Sequence, residues 1–154
     1  MANTYTQIYI QVVFAVKGRQ NLIKEKFRSE LQKYITGIIT NRGQKLISIY
    51  CMPNHTHLLV GLKPNIALSD LMRDVKAGSS VFINQKQWMP VKFNWQEGFG
   101  AFSYAQSQLS AVINYIESQK EHHKKASFKE EYKLLLNKFK VDYKDAYLFD
   151  EEEN

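Results

Sequence analysis

The 154-residue sequence contains one cysteine, Cys51, and no long hydrophobic run. A single thiol cannot form an internal disulfide, so we expect a protein of a reducing cytoplasm. The apolar segments are too short to span a membrane, and the N-terminus lacks the basic and then apolar pattern of a secretion signal. Internal repeats, low-complexity blocks and linkers are also absent. This predicts one domain over residues 1–154, with its core at about 4–140 and an acidic tail at about 141–154.

Acidic residues are in the minority. The 15 Asp and Glu residues are outnumbered by 21 Lys and Arg residues, which gives a formal net charge of +6. Residues 150–153 are all acidic, so the rest of the chain is more basic than the total indicates. A basic folded body predicts a polyanionic partner, nucleic acid before a membrane surface. Charge alone leaves open the alternative of a basic protein without such a partner.

The most informative stretch is CMPNHTHLLV at residues 51–60. Pro53-Asn54 is a turn signal, and the aliphatic run behind it predicts a strand over 55–62. Alternate side chains of a strand share a face, so His55 and His57 both point toward the open face of the sheet. Their Cα atoms are expected about 7 Å apart. Two imidazoles at this distance can bind one metal ion, although a polar, half-exposed strand face is the alternative. The other side chains are expected in the core: Thr56, Leu58, Val60 and Leu62.

Hydrophobic periodicity predicts the order strand, helix, strand, strand, helix, strand. The strands are expected at residues 5–16, 45–51, 55–62 and within 90–104, and the helices at about 23–41 and 65–82, the second with a cap near Asn65 or Ser69. This order indicates an α+β protein with a ferredoxin-like split βαβ antiparallel sheet and helices on one face. The first and third strands would then lie side by side at its centre.

A further helix is predicted from Ser107 to about Lys124. Tyr115 lies about a third of a turn from the centre of its apolar stripe, and Gln119 follows one turn later on the same side. Ser127 with Glu130 forms a plausible capping box for a last helix. The apolar stripe of the first of these helices consists of Leu109, Val112, Ile113 and Ile116.

The sequence resembles a known family, the single-tyrosine HUH transposases of short bacterial insertion sequences (IS200-like), which act on single-stranded DNA. The resemblance rests on residues 52–59, 69–76, 95–103 and 115–119 with the following His122-His123, which occur in the family's order over nearly the whole chain. One position departs from the superfamily pattern. The middle residue of the His-x-His triplet is usually a larger hydrophobe and is Thr56 here, on the face away from the imidazoles.

The resemblance implies that His55 and His57 bind a divalent metal, magnesium or manganese rather than zinc, with Gln119 as the third protein ligand. Imidazole ligation by itself would favour zinc. Tyr115, on the helix C-terminal to the sheet, would be the nucleophile that cleaves and rejoins single-stranded DNA at element ends through a covalent 5′-phosphotyrosine intermediate. The expected partners are hairpin-bearing single-stranded ends and a second subunit, because the family forms homodimers in which the active site is shared between subunits.

Three other functions stay open from the sequence. A non-catalytic module could bind single-stranded nucleic acid by stacking bases on a split βαβ sheet, but it leaves the combination of His55, His57, Tyr115 and Gln119 unexplained. A replication initiator or relaxase of the same superfamily would share the nucleophile and metal but would nick and reclose DNA. A small metal hydrolase would use water as its nucleophile and would never become attached to DNA.

Overall fold

The computed structural model describes residues 3–149, and the acidic residues 150–153 lie outside this range. Its centre is a four-stranded sheet with the order β2-β3-β1-β4, in which every neighbouring pair is antiparallel. The central strands β1 and β3 are the first and third in sequence, so the predicted ferredoxin-like arrangement is confirmed. The strands are β1 (Tyr9–Ala15), β2 (Lys45–Cys51), β3 (His55–Gly61) and β4 (Gly100–Tyr104).

Two long helices, α1 (Arg28–Asn41) and α2 (Leu68–Lys86), cover one face of the sheet. The alternate side chains of β1 and β3 that point toward them are removed from water, as the periodicity of both strands predicts. Burial of such aliphatic side chains provides the main favourable free energy of folding. The buried set on this face includes Val12, Phe14, Leu58, Val60, Leu71 and Val75.

Helices also cover the opposite face of the sheet, which the sequence led us to expect open. Leu59 of β3 packs there against Val112 and Ile116, and Val13 of β1 belongs to a second cluster with Phe128. The expectation of an open face was wrong because the amphipathic stripes of the C-terminal helices need an apolar surface. These helices are α3 (Leu109–Glu117), α4 (Gln119–His122), α5 (Phe128–Lys138) and α6 (Asp145–Leu148).

The single helix predicted over 107–124 is divided. Helix α3 ends at Glu117, Ser118 leaves the helical range with φ −99° and ψ 18°, and α4 begins at Gln119. The side-chain amide Nε2 of Gln119 lies 3.4 Å from the Tyr115 carbonyl oxygen. Tyr115 and Gln119 therefore flank a break, although their spacing of four residues had suggested one continuous helix.

Helix caps show where local signals succeed and fail. Ser127 accepts a hydrogen bond from the Glu130 backbone N–H at 3.2 Å, which confirms the predicted cap of α5. The predicted cap of α2 is wrong, because its N-cap is Ala67 and makes no side-chain hydrogen bond. Asn65 lies two residues before this N-cap, and its side-chain oxygen accepts a hydrogen bond of 2.9 Å from Gln44. Among residues 3–149, no helix has the length and hydrophobicity needed to cross a membrane.

We predict that replacing the α5 cap will lower stability without altering the sheet. Ser127→Ala removes the acceptor for the Glu130 N–H and should reduce the free energy of unfolding by about 1 kcal/mol. Ser127→Asp retains an acceptor and should remain within about 0.5 kcal/mol of the parent protein. Urea denaturation of the three proteins measures both values, and equal losses in the two variants would contradict a capping role.

Candidate metal centre

His55 and His57 lie together at the start of β3 and are both 0% exposed. The turn at residues 53–54 leads directly into the strand, so the two imidazoles share the face that α3 to α5 cover. Their ring centroids are 5.1 Å apart, and the Phe128 ring stacks on His55 at 4.1 Å. The structure thus confirms that the imidazoles lie close together on one face but buries them completely.

A hydrogen bond on the far side of the His55 ring defines its tautomer. Nδ1 of His55 lies 2.7 Å from Oδ1 of Asn54. An amide oxygen can only accept, so Nδ1 carries the proton and Nε2 presents a lone pair. That lone pair faces the space between β3 and the helices, where two further acceptors lie, Gln119 Oε1 at 3.2 Å and Glu131 Oε1 at 3.5 Å. Three electron-rich atoms that face one another call for a cation between them.

Glu131 of α5 joins the two histidines. Its Oε1 atom lies 3.0 Å from His57 Nε2, 3.5 Å from His55 Nε2 and 3.1 Å from His123 Nε2. The other carboxylate oxygen accepts a hydrogen bond from the Tyr115 hydroxyl. One carboxylate therefore contacts both histidines predicted as metal ligands and the predicted nucleophile.

Sequence reasoning missed Glu131, although its position carried a signal. It lies three residues after Phe128 and four before Leu135, both of which are buried. A carboxylate within the apolar stripe of an amphipathic helix must find a buried partner, because an isolated charge away from water is costly. An acidic residue within an apolar helix stripe was therefore a candidate for the further ligand that the His55 and His57 pair lacked.

Gln119 and His123 complete the cluster. Gln119 is 0% exposed, and its Oε1 lies 3.0 Å from His123 Nε2 as well as 3.2 Å from His55 Nε2. The adjacent His122 is exposed, and its ring lies 4.7 Å from the Tyr115 ring. The structure thus brings together all four residues singled out from the sequence, and it adds Glu131 and His123.

Burial and charge shift the protonation equilibria of the cluster. Burial lowers the pKa of His55 to about 4, so its imidazole is neutral at physiological pH. Burial alone would raise the pKa of Glu131, but its hydrogen bonds with the surrounding histidines, first of all His123, outweigh burial and hold that pKa well below its usual range. Burial, followed by the Glu131 charge, raises the pKa of Tyr115 above its ordinary value.

This donor set fits a divalent metal. One ligand atom each from His55, His57 and Glu131 lies within 4.8 Å of the others, and all three residues are buried. Imidazole nitrogen lone pairs and a carboxylate oxygen are electron-rich groups, and a cation between them would compensate for the water they have lost. Gln119 Oε1 offers a further oxygen donor beside His55.

Solved structures with this fold include two transposases. A transposase candidate of Deinococcus radiodurans R1 is similar with a TM-score of 0.59 at 20% identity, over 77% of this chain and 95% of that one. A REP-associated tyrosine transposase, bound in its structure to a REP hairpin, is similar with a TM-score of 0.58 at 14% identity, over 80% of this chain and 73% of that one. At these identities the likeness shows a shared fold.

The fold and the site define the class: a split βαβ sheet that carries a histidine pair and a tyrosine on one covered face. The chain belongs to the IS200-like transposase family, whose model matches residues 4–119. The ISDra2 transposase TnpA of Deinococcus radiodurans is 23% identical in an alignment of 118 positions, which covers 73% of this chain and 84% of that protein. The protein is accordingly a DNA-binding transposase of the mobile-element type.

The family match ends at Gln119. It includes His55, His57 and Tyr115, whereas His123 and Glu131 lie beyond it. Helix α5 therefore adds a carboxylate to the site from outside the matched segment.

We predict that Glu131 contributes to metal affinity. Glu131→Gln removes the only carboxylate of the three-residue donor group and should weaken Mn²⁺ binding by about 10-fold or more. The matched control is Glu130→Gln, which removes the same charge from an exposed neighbour on the same helix. Titration of each protein with Mn²⁺, followed by electron paramagnetic resonance of the free ion, measures the affinities. Equal affinities in the two variants would exclude Glu131 from the metal centre.

Proposed function

We propose that this transposase cleaves and rejoins single-stranded DNA at the ends of an insertion sequence, through a covalent 5′-phosphotyrosine intermediate on Tyr115. The observation that supports this most directly is the contact of the Glu131 carboxylate with both the Tyr115 hydroxyl and the two imidazoles. A nucleophile and a set of metal donors that meet at one buried group can act on the same phosphate. We expect this activity in the bacterial cytoplasm, where the DNA is.

Tyr115 would attack the phosphorus atom of a DNA phosphodiester. A bond forms between its phenolic oxygen and phosphorus, and the bond to the departing 3′ oxygen breaks. The phenol loses one proton and the departing oxygen takes one up, which leaves the 5′ phosphate on Tyr115 and a free 3′ hydroxyl on the other strand end. The phenol is protonated at physiological pH because burial and the Glu131 charge raise its pKa, so a base must take the proton. The Glu131 oxygen that accepts from this hydroxyl orients it, but a carboxylate whose pKa is held well below its usual range is a weak base. A divalent cation held by the adjacent donors would help by lowering the pKa of the phenol.

Rejoining is the reverse reaction with a different strand. A 3′ hydroxyl attacks the phosphotyrosine, forms a new phosphodiester and returns the proton to the Tyr115 oxygen. The phosphotyrosine ester conserves the energy of the broken bond, so no nucleotide triphosphate is consumed. The Tyr115 oxygen is the nucleophile in one direction and the leaving group in the other, as microscopic reversibility requires, and Glu131 orients it in both.

His55, His57 and Gln119 are the metal ligands that we propose, with Glu131 as a further oxygen donor. A divalent metal bound there would act as a Lewis acid that stabilises the charge developing on the phosphate. Oxygen donors suit magnesium and manganese, so the Gln119 and Glu131 oxygens support these ions over zinc. Strand cleavage restored to metal-stripped protein by zinc alone would overturn this choice.

A groove between α3 and α5 offers a path for the DNA strand. Two adjoining cavities of about 330 and 380 Å³ are both lined by Tyr115, Leu135 and Lys138. Leu134 at the rim is 66% exposed, and Lys125 also lines the first cavity. Sites that bind single-stranded DNA combine apolar and aromatic surface, which contacts the bases, with ammonium groups, which contact the phosphates.

All the donor groups and Tyr115 come from one chain in this structure. The Tyr115 and His57 ring centroids are 5.8 Å apart, so we propose that the nucleophile acts in the subunit that carries its metal ligands. The homodimer stays a prediction from the family resemblance, and the shared active site that the resemblance implies is the alternative to this arrangement. The hairpin-bearing DNA ends also remain a prediction from the family resemblance, although one structural relative is bound to a REP hairpin.

We predict that Tyr115→Phe will abolish a covalent DNA adduct and retain DNA binding, because it removes only the nucleophilic oxygen. Single-stranded oligonucleotides that cover the DNA on both sides of the gene are labelled at their 3′ ends and incubated with protein and Mg²⁺ or Mn²⁺. A denaturing gel then shows whether label travels with the protein. A metal-dependent adduct with the parent protein alone is expected, and its absence on every strand would contradict the proposed function.

The products and a mixing experiment refine the result. An adduct without joined products of new sequence would indicate a nicking and reclosing enzyme rather than a transposase. Tyr115→Phe mixed with His57→Ala should give no adduct if each site lies within one subunit. Recovery of the adduct in the mixture would show a site shared across a dimer.

We predict that the groove lysines contact DNA phosphates. Lys125→Ala with Lys138→Ala should weaken single-strand binding and reduce the slope of log affinity against log salt by about 1.4, because each phosphate contact contributes about 0.7. The control pair is Lys33→Ala with Lys63→Ala, two exposed lysines outside the groove with the same change in net charge. Fluorescence anisotropy across a salt series measures the slopes, and equal slopes for the two pairs would place the strand elsewhere.

A further inference from the structure

A buried glutamine stands behind one of the two histidines. Gln11 lies in the middle of the central strand β1 and is 0% exposed. Its amide Nε2 lies 3.0 Å from His57 Nδ1, and its Oε1 accepts a hydrogen bond of 2.8 Å from the Tyr104 hydroxyl. An uncharged polar side chain in the centre of a sheet contributes less stability than an aliphatic one, so its two hydrogen bonds call for a functional explanation.

The hydrogen bonds to His57 select one tautomer of its ring. An amide nitrogen donates, so Nδ1 of His57 accepts from Gln11 and carries no proton. The proton of the neutral ring is then on Nε2, which is 3.0 Å from Glu131 Oε1 and donates to it. This arrangement gives each of these groups a hydrogen-bond partner. It also leaves a proton on His57 Nε2, the nitrogen that faces the metal centre and would have to bind the metal.

Metal binding through His57 Nε2 requires the other tautomer. The proton must move to Nδ1, where it needs an acceptor, and the Gln11 amide can supply one if it rotates by half a turn so that Oε1 faces the ring. Its Nε2 would then donate to the Tyr104 oxygen, which therefore changes from donor to acceptor. His55 needs no such change, because Asn54 Oδ1 already accepts from its Nδ1.

We propose that Gln11, supported by Tyr104, is a positioning residue that sets the tautomer of His57. Its amide nitrogen faces His57 while Glu131 accepts the ring N–H, and its amide oxygen faces His57 when Nε2 binds a divalent metal. This inference rests on the metal centre of the proposed function and adds residues from β1 and β4 to it. Tyr104 is suited to the role because its hydroxyl can both donate and accept.

Two substitutions of similar size separate positioning from packing. Gln11→Met keeps the length of the side chain and removes both hydrogen bonds, so Mn²⁺ affinity should fall by about 10- to 100-fold. Gln11→Glu presents acceptor oxygens to both His57 and Tyr104, which favours the metal-binding tautomer, so its Mn²⁺ affinity should equal or exceed that of the parent protein. Both are measured by the Mn²⁺ titration used for Glu131→Gln, and melting temperatures establish that each variant is folded.

Nitrogen NMR of the imidazoles provides a readout that needs no metal. Long-range ¹H–¹⁵N spectra of the metal-free parent protein should show the proton of His57 on Nε2 and that of His55 on Nδ1. Gln11→Glu should move the His57 proton to Nδ1 and leave His55 unchanged. If Gln11→Met fails to fold, the Gln11→Glu spectrum and Tyr104→Phe, which removes the group that holds the amide, still test the inference.

The outcomes distinguish this inference from the proposed function. Mn²⁺ binding by folded Gln11→Met within about twofold of the parent, or equal losses in Gln11→Met and Gln11→Glu, would overturn the role of Gln11 and leave the metal centre intact. A parent protein that binds no Mn²⁺ would overturn the proposed metal centre. In that case the His57 tautomer in the NMR spectra still decides whether Gln11 controls it.

Discussion

The buried Glu131 carboxylate is the group on which the organisation of the site depends. A charge removed from water destabilises a fold unless hydrogen bonds and opposite charge compensate for the lost hydration. Glu131 obtains this compensation from His57, His123 and the Tyr115 hydroxyl, so α5 is held over β3 by polar contacts as well as by its apolar stripe. The interaction that places the helix is also the one that assembles the site.

The two faces of the sheet have different functions. Aliphatic and aromatic side chains between the sheet and α1 and α2 form the larger core, and that face carries none of the site. The opposite face combines apolar contacts with buried polar residues, which cost stability and are retained where chemistry requires them. Its second helical layer excludes water from the imidazoles. This exclusion lowers the local dielectric and strengthens the electrostatic interactions among the buried polar groups.

Much of this architecture follows from local patterns. Alternation in β3 predicted that His55 and His57 share a face and that Leu58 and Val60 lie in the core, because side-chain direction in a strand has a period of two. The Ser127 cap was predictable because its hydrogen bond spans three residues. The expected cap of α2 failed where Asn65 found a partner distant in sequence, and the break at Ser118 has no local signal such as glycine or proline.

The sequence by itself determined the strand and helix order, the pairing of the two histidines on one strand face, and the spacing of Tyr115 and Gln119. The tertiary structure alone decided that this face is covered, that Glu131 and His123 join the cluster, and that Gln11 lies behind His57. The reason is the distance along the chain. Gln11 and His57 are 46 residues apart and His57 and Glu131 are 74 apart, so sheet register and helix docking, rather than local periodicity, bring these groups together.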